Sequence, residues 1–255
     1  MSRRSSTKTT TERSSWIRRY KNTRTGTTLH QLNNVTVADM GVAAPSAELL
    51  SSKLKAATAE LHHEVEHGSE VNRRIVTKVG GEGAELDAQR EEYRAAYIQF
   101  LRAAYGFENA VQRAVLDFEA TNDLQAFGYL PEHVNAAELI QRDLEIMTGE
   151  QNVRSATNFP EPRTVAELAG MEYVRRGSRN GNAYIAMAVK KNIGVGAENG
   201  AGYLNLDNGQ THPNWARFKG WLDALNLNDL EQEQAVEAAK ATFRAVGVWH
   251  AECCK

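Results

Sequence analysis

The sequence predicts an all-α protein, a bundle of about seven or eight helices. Apolar residues recur at helical spacing through most of the chain from about residue 47 onward. Several of these segments begin with a capping residue or end at a glycine. Strand-like patterning is nearly absent, since only IVTKV at residues 75–79 is β-rich and it runs directly into Gly80 and Gly81. These three observations favour a helical bundle over any fold with a sheet.

The individual helices carry their own start and stop signals. Ser46, Ser51 and Ser52 offer N-caps to the first helix, and the third ends at a glycine. Thr164 and Glu167 have the spacing of a capping box. The predicted helical segments, in chain order, are 47–67, 87–118, 135–149, 164–192, 214–227 and 229–252.

Composition places the chain among ordinary globular proteins. It has 255 residues, 42% of them hydrophobic and 24% charged, which suits one large domain or two small ones. No apolar run approaches the roughly 18 residues that a membrane span needs, and no secretory signal is visible. The cysteines, Cys253 and Cys254, are adjacent, so a cross-link between them would close almost no loop. We therefore expect a reducing, cytoplasmic setting and no membrane partner.

Charge is unevenly distributed along the chain. Residues 1–24 contain eight Lys or Arg, one acidic residue and ten Ser or Thr. The rest carries a net charge of −9, because the whole chain is −2 and this start is +7. We expect residues 1–41 to be a flexible basic Ser/Thr-rich arm and residues 42–255 to be the helical domain. Organelle targeting through the arm is the alternative, and we do not expect a nucleic-acid partner.

The stretch LKAATAELHHEVEH at residues 54–67 holds three of the seven histidines. On a helix, each residue advances about 100° around the axis. The face predicted to be core consists of Leu54, Thr58, Leu61 and Val65. His62 falls on the border of that face together with Lys55 and Glu66, whereas His63 and His67 point towards solvent. The spacing thus selects His62 as the histidine best placed to reach a ligand held against the helix.

Two glycines interrupt a strong helical pattern in YVRRGSRNGNAYIA at residues 173–186. Gly177 and Gly181 lie one turn apart, and each costs roughly 1 kcal/mol relative to alanine in a helix. A flat or bulky group that approaches the backbone, a bend, or close helix packing would each explain them. The pattern by itself leaves these explanations open.

Together these stretches resemble the haem oxygenases. LKAATAELHHEVE is similar to their first helix, L-K-x-A-T-x-x-x-H-x-x-x-E, and YVRRGSRNGN resembles the distal helix of the bacterial form, Y-V-x-x-G-S-x-x-G-G. Three further similar segments follow the family's order: AAYGFENAVQ (103–112), ELIQRDLEIMTG (138–149) and GAGYLNLDNGQTHPNWARFKGWLDAL (200–225). The resemblance covers about residues 45–250 and is nearest to the type associated with phytochromes or haem-iron use. It implies the haem oxygenase fold.

The resemblance also implies a haem held between two helices. His62 would bind the iron and Glu66 would orient its imidazole. Lys55, Arg217 and Lys219 would meet the propionates, and Tyr173 would also contact the haem. On the other face, the family's catalytic segment corresponds to Gly177, Ser178, Gly181 and Asn182. Asn182 is a departure, since the family usually has a glycine there; its side chain would narrow the pocket or bind distal water.

The implied activity is oxidative cleavage of haem to biliverdin, carbon monoxide and ferrous iron, with haem as both substrate and cofactor. The chain shows no flavin or nicotinamide fingerprint, so electrons would come from an external ferredoxin or reductase. A phytochrome or a reductase would accept the biliverdin.

Three alternatives remain at this stage. One is a relative that binds haem without degrading it. A second is a di-iron bundle, for which Glu60-x-x-His63 and Glu64-x-x-His67 have the required spacing, although both lie on one helix. A third is a helical interaction module with a basic arm, which leaves the two glycines unexplained.

Overall fold

The computed structural model describes residues 48–132 and 134–253, and within them it contains helices and no strand. The all-α prediction is confirmed. The α-helices are α1 (Leu50–Gly68), α2 (Glu70–Ile75), α3 (Gly83–Glu119), α4 (Ala136–Thr148), α5 (Val165–Ser178), α6 (Asn182–Ile193), α7 (Thr211–Ala224) and α8 (Asp229–Cys253). Four 3₁₀ turns complete the described part: Leu124–Phe127, Arg179–Gly181, Ala197–Asn199 and Tyr203–Asn205. The predicted basic arm at residues 1–41 lies outside the described residues, so the proposed domain boundary stays a prediction.

The start of α1 is capped from another helix, and the predicted serine caps are wrong. Leu49 occupies the cap position without a side-chain hydrogen bond. Instead, the Asp223 carboxylate, near the end of α7, accepts hydrogen bonds from the backbone N–H of Ser51 at 2.8 Å and from its hydroxyl at 2.9 Å. A carboxylate satisfies the free amides of a helix start and interacts favourably with its dipole, so no local serine is needed. Of the other two, Ser52 lies inside α1, and Ser46 lies outside the described residues.

Two other predicted helix ends are confirmed in the backbone. Gly149 ends α4 in the left-handed conformation with φ 77°, and its N–H donates to the Glu145 carbonyl. Thr164 caps α5 by accepting from the N–H of Glu167 at 3.2 Å. In a complete capping box the Glu167 carboxylate would accept a hydrogen bond from the N–H of Thr164. Here it accepts from the N–H of Arg163, one residue earlier.

The segment predicted as one helix, residues 164–192, is two helices. The 3₁₀ turn Arg179–Gly181 separates α5 from α6, within the interval bounded by the two glycines. We call residues 177–181 the α5–α6 turn. Of the explanations that the sequence left open, the structure therefore contains a break in the helix.

The helices enclose two groups of buried apolar side chains. α8 packs against both α5 and α1, and its contact with α5 is the more extensive. These three helices, α7 and the second half of α3 enclose the first group. The first half of α3, α4, α6 and the segment around Tyr203 enclose the other group. The α5–α6 turn joins a helix of the first group to a helix of the second. No helix within the described residues is both long and apolar enough to cross a membrane.

Candidate functional site

The faces of α1 agree with the helical arrangement predicted from its sequence. Leu54 and Thr58 are buried, and Leu61 and Val65 pack against the same core. The three histidines are exposed, and the side chain of His62 is 57% exposed.

His62 differs from its neighbours in what it contacts. Its Nδ1 lies 3.5 Å from a carboxylate oxygen of Glu66, one turn along α1. Its ring meets the buried ring of Phe243 on α8 edge to face, with the centroids 5.8 Å apart. Its Nε2 has no hydrogen-bond partner among the described residues. His63 contacts the ring of His67 at 4.5 Å and shows no comparable anchoring to another helix.

Thr58 of α1 and Tyr173 of α5 are neighbouring side chains. Burial raises the pKa of the Tyr173 phenol, and the adjacent Thr58 hydroxyl acts in the opposite direction. The Thr58 hydroxyl also donates to the Leu54 carbonyl at 2.8 Å, which keeps it against its own helix. One turn beyond this contact, α1 carries His62 and α5 carries Gly177.

The two glycines have different surroundings. A Cβ atom added to Gly177 would lie 3.4 Å from the indole of Trp215 on α7, so helix packing explains this position. That indole also contacts the ring of Tyr173, at 5.4 Å between centroids. A Cβ added to Gly181 would meet nothing within 4 Å. Open space therefore lies beside the α5–α6 turn at Gly181.

The residues around Gly181 differ in how exposed they are. Ser178 is exposed, although its hydroxyl donates to the carbonyl of Arg175 at 2.8 Å. Tyr184 and Met187, on α6, are 60% and 65% exposed. Asn182 is only 4% exposed, and its amide donates to the carbonyl of Tyr203 at 3.5 Å. The Asn182 side chain thus faces the interior, contrary to the sequence-based expectation that it narrows the pocket or binds distal water.

A buried charge cluster lies behind the α5–α6 turn, and sequence reasoning missed it. Glu108 of α3 is fully buried and accepts hydrogen bonds from Arg175 and Arg179. Burial alone would raise the pKa of Glu108, but these two guanidinium groups outweigh it and lower the pKa to about 2. Glu172 is equally buried and is paired with Arg175 and Arg176, which lower its pKa to about 2 against the effect of burial. The sequence signals for it were the single carboxylate Glu108 among apolar residues of α3 and the three arginines at 175, 176 and 179.

A family model described as Heme oxygenase matches residues 48–252, most of the chain. The chain belongs to the haem oxygenase family. It is accordingly a haem-degrading enzyme. A search of the curated proteins found no match.

Solved bacterial haem oxygenases share the fold. The NO- and CO-bound enzyme from Neisseria meningitidis is 22% identical, with a TM-score of 0.63 over 81% of this chain and 92% of that one. The haem oxygenase from Leptospira interrogans is 17% identical, with a TM-score of 0.61 over 80% and 100%. Haem oxygenase-1 from the cyanobacterium Synechocystis sp. PCC 6803, solved in complex with haem, is 16% identical, with a TM-score of 0.61 over 80% and 92%. The predicted fold is confirmed.

The basic residues expected to meet haem propionates have different environments in this haem oxygenase. Lys55 is exposed on α1 and forms no ion pair within the described residues. Arg217, also exposed, donates weakly to Asn214 at 3.5 Å and lines a cavity of about 240 Å³ next to Trp215. Lys219 is partly buried on the same helix. That cavity is below the range of roughly 300–1,000 Å³ typical of ligand sites, so it is not itself a haem pocket.

The di-iron alternative finds no assembled site in this haem oxygenase. Glu60, His63, Glu64 and His67 all project from α1 and are exposed. Across residues 48–132 and 134–253, no group of three or more His, Cys, Asp or Glu side chains is arranged to hold a metal ion.

Proposed function

We propose that the protein cleaves haem to biliverdin, carbon monoxide and ferrous iron, with the haem held between α1 and the α5–α6 turn and ligated by His62. The observation that carries this assignment is that α1 and α5 line the same buried core, which Leu61 of α1 and Tyr173 of α5 both contact. The exposed imidazole of His62 lies on α1, and Gly181, which borders open space, follows α5 in the α5–α6 turn.

The proximal side would be supplied by α1. Glu66 faces Nδ1 of His62, so Nε2 remains as the nitrogen for iron. The edge contact with Phe243 restricts rotation of the ring. Because the imidazole is oriented by two neighbours and is still exposed, it can bind a ligand without rearrangement of the helix.

The distal side would be supplied by the α5–α6 turn. Gly181 borders open space, and a side chain there would project into the space proposed for the haem. Ser178 has its hydroxyl in the exposed part of the turn. The Oδ1 atom of Asn180, in the same turn, is buried and has no hydrogen-bond partner among the described residues. Tyr184 and Met187 present apolar surface for the haem edge. We assign Asn182 to support of the turn, because its side chain faces Tyr203.

The rim would be completed by cations. Lys55 lies on the border face of α1 that also carries His62, and it has no ion-pair partner among the described residues that would compete with a propionate. Arg217 and Lys219 are the candidates from α7. A mobile ammonium suits a solvent-exposed carboxylate at such a rim.

Haem, once bound, supplies the oxygen chemistry, and the protein's part is to hold its iron, position its edge and order water beside it. Electrons would arrive from an external ferredoxin or reductase. A phytochrome or a biliverdin reductase would receive the product. We place these reactions in the cytoplasm.

The ligand assignment is tested by haem titration of two adjacent variants. His62→Ala should lose the absorption of an imidazole-ligated haem, because it removes the proposed iron ligand. His63→Ala is the matched control, since it removes another exposed ring from the next position and should retain that absorption. Equal loss in both variants would contradict the assignment of the two faces of α1.

Turnover is tested by adding a reductant to the haem-loaded protein in air. The haem absorption should decay and that of biliverdin should appear. A one-to-one haem complex whose spectrum does not change would favour the haem-carrier alternative. A protein that binds no haem would contradict the proposed function as a whole.

A further inference from the structure

The buried side of the α5–α6 turn is attached to α3 by charged groups. The Glu108 carboxylate accepts hydrogen bonds at 2.8 Å from Nε of Arg175, and from both Nε and Nη2 of Arg179. The exposed fractions are 0% for Glu108, 4% for Arg175 and 3% for Arg179. We call these three residues the Glu108 clamp.

The clamp holds the turn from both directions along the chain. Arg175 lies in the last turn of α5, and Arg179 begins the 3₁₀ turn. Gly177 and Ser178 lie between them, so one carboxylate fixes the backbone on both sides of that pair. The attachment continues through Tyr203, whose hydroxyl donates to Glu108 at 3.3 Å and whose carbonyl accepts from Asn182 at the start of α6.

The turn needs such an attachment because its own backbone provides little rigidity. The α-helical hydrogen-bond pattern is interrupted there, and glycine is the least restricted residue. A planar guanidinium that binds a carboxylate through two N–H groups fixes both distance and orientation. Buried ion pairs are not needed for stability as such, since apolar residues of similar size often serve equally well. An apolar contact would not, however, reproduce the directionality of the ion pairs.

We propose that Glu108 and Arg179 are positioning residues that set the place of the α5–α6 turn over the haem, a role that rests on the proposed function. They do not touch the haem. They act through the turn that carries Gly181 and Ser178, and therefore determine how much space and which backbone groups the haem meets on that side.

The test uses the full-length protein with Glu108→Gln and Arg179→Lys. Glutamine keeps the shape of the acceptor and removes its charge, whereas lysine keeps the charge and loses the bidentate geometry. If Glu108→Gln does not fold, Arg179→Lys still tests the clamp. The matched control is Arg176→Lys: Arg176 belongs to the same charge cluster, but it binds Glu172 and the carbonyl of Leu130, and not Glu108.

The first readout is amide hydrogen exchange of the haem-free protein. Residues 178–183 should exchange roughly tenfold faster in both clamp variants, and within about threefold of wild type in Arg176→Lys. Unchanged exchange in the clamp variants, or equal acceleration in the control, would overturn the proposal.

The second readout is the absorption spectrum of the ferric haem complex and its pH dependence. Both should change in the clamp variants at full haem loading and stay at wild-type values in Arg176→Lys. Wild-type spectra in the clamp variants would overturn the positioning role. If wild-type protein binds no haem, the proposed function fails together with the haem part of this inference, while hydrogen exchange still decides whether the clamp holds the turn.

Discussion

At the scale of single residues, His250 shows what burial does to a titratable side chain. It lies on α8, and its Nδ1 is 3.2 Å from the hydroxyl of Ser69, between α1 and α2. Burial lowers the pKa of this imidazole from 6.5 to about 4, because the charged form loses its hydration. The folded protein therefore holds His250 neutral at a pH at which the unfolded chain would protonate it.

The burial of His250 makes the unfolding free energy depend on pH. The stability associated with neutral His250 is complete above its unfolded pKa and is lost as the pH falls towards 4. We expect unfolding to become easier by about 2 kcal/mol between about pH 7 and 5 on account of this residue. His250→Asn retains a polar partner for Ser69 without titrating, so its unfolding free energy, measured with urea, should vary less over that range. Parallel curves for the two proteins would contradict the assignment.

The same scale separates His62 from His63. Both are exposed neighbours in the sequence, and only His62 is oriented by Glu66 and by a ring from another helix. Being exposed therefore does not distinguish the two histidines, whereas their contacts do.

At the scale of helices, the contact between α5 and α8 depends on one glycine. A Cβ atom on Gly170 would overlap the carbonyl oxygen of Ala235, and it would lie 3.0 Å from the backbone N of Ala239. These are backbone atoms of a long helix, so they cannot rotate away as a side chain would. Gly220 on α7 is the opposite case, because an added Cβ there would meet nothing within 4 Å.

Alanine at these two positions should change stability in opposite directions. Gly170→Ala should destabilise the protein by about 2–3 kcal/mol, since the helices must separate to accept the methyl group. Gly220→Ala should stabilise it by roughly 0.5–1 kcal/mol through the lower backbone entropy of the unfolded chain. Thermal unfolding of both variants measures the difference. A neutral Gly170→Ala variant would mean that the α5–α8 contact is looser than described.

At the scale of the whole molecule, buried charges join segments that are distant in the sequence. Glu108 of α3 and Glu172 of α5 share Arg175, and Glu132, in the segment before α4, pairs with Arg179. Opposite charges balance within the cluster, which is how a bundle core tolerates ionised groups.

This cluster should make the protein sensitive to strong acid. The pKa values of Glu108 and Glu172 are lowered to about 2, so their contribution is complete above the ordinary carboxyl pKa of 4.5 and is lost as the pH falls towards 2. Acid unfolding followed by circular dichroism should thus depend on these groups below about pH 4.5. Glu108→Gln should flatten that dependence and leave the slope between about pH 7 and 5 to His250. An unchanged acid slope in Glu108→Gln would contradict the lowered pKa.

The helical class and the faces of α1 were predictable because they depend on local pattern. Helical periodicity identified the main helical segments, and the helical spacing of α1 separated His62 from His63. The α2 helix, the division between α5 and α6, and the cap of α1 by Asp223 were not predicted. The cap in particular depends on a carboxylate 172 positions away in the chain, which no local pattern contains.

The sequence by itself determined the helical class and the faces of α1, because both depend on short-range spacing, and its motifs identified the family by resemblance. Only the tertiary structure decided that Trp215 occupies the space beside Gly177, that Asn182 faces inward, and that Glu108 holds the α5–α6 turn. These features arise where helices meet. The physical reason is that side-chain burial and ion pairing depend on distances between segments, and spacing within one segment does not specify those distances.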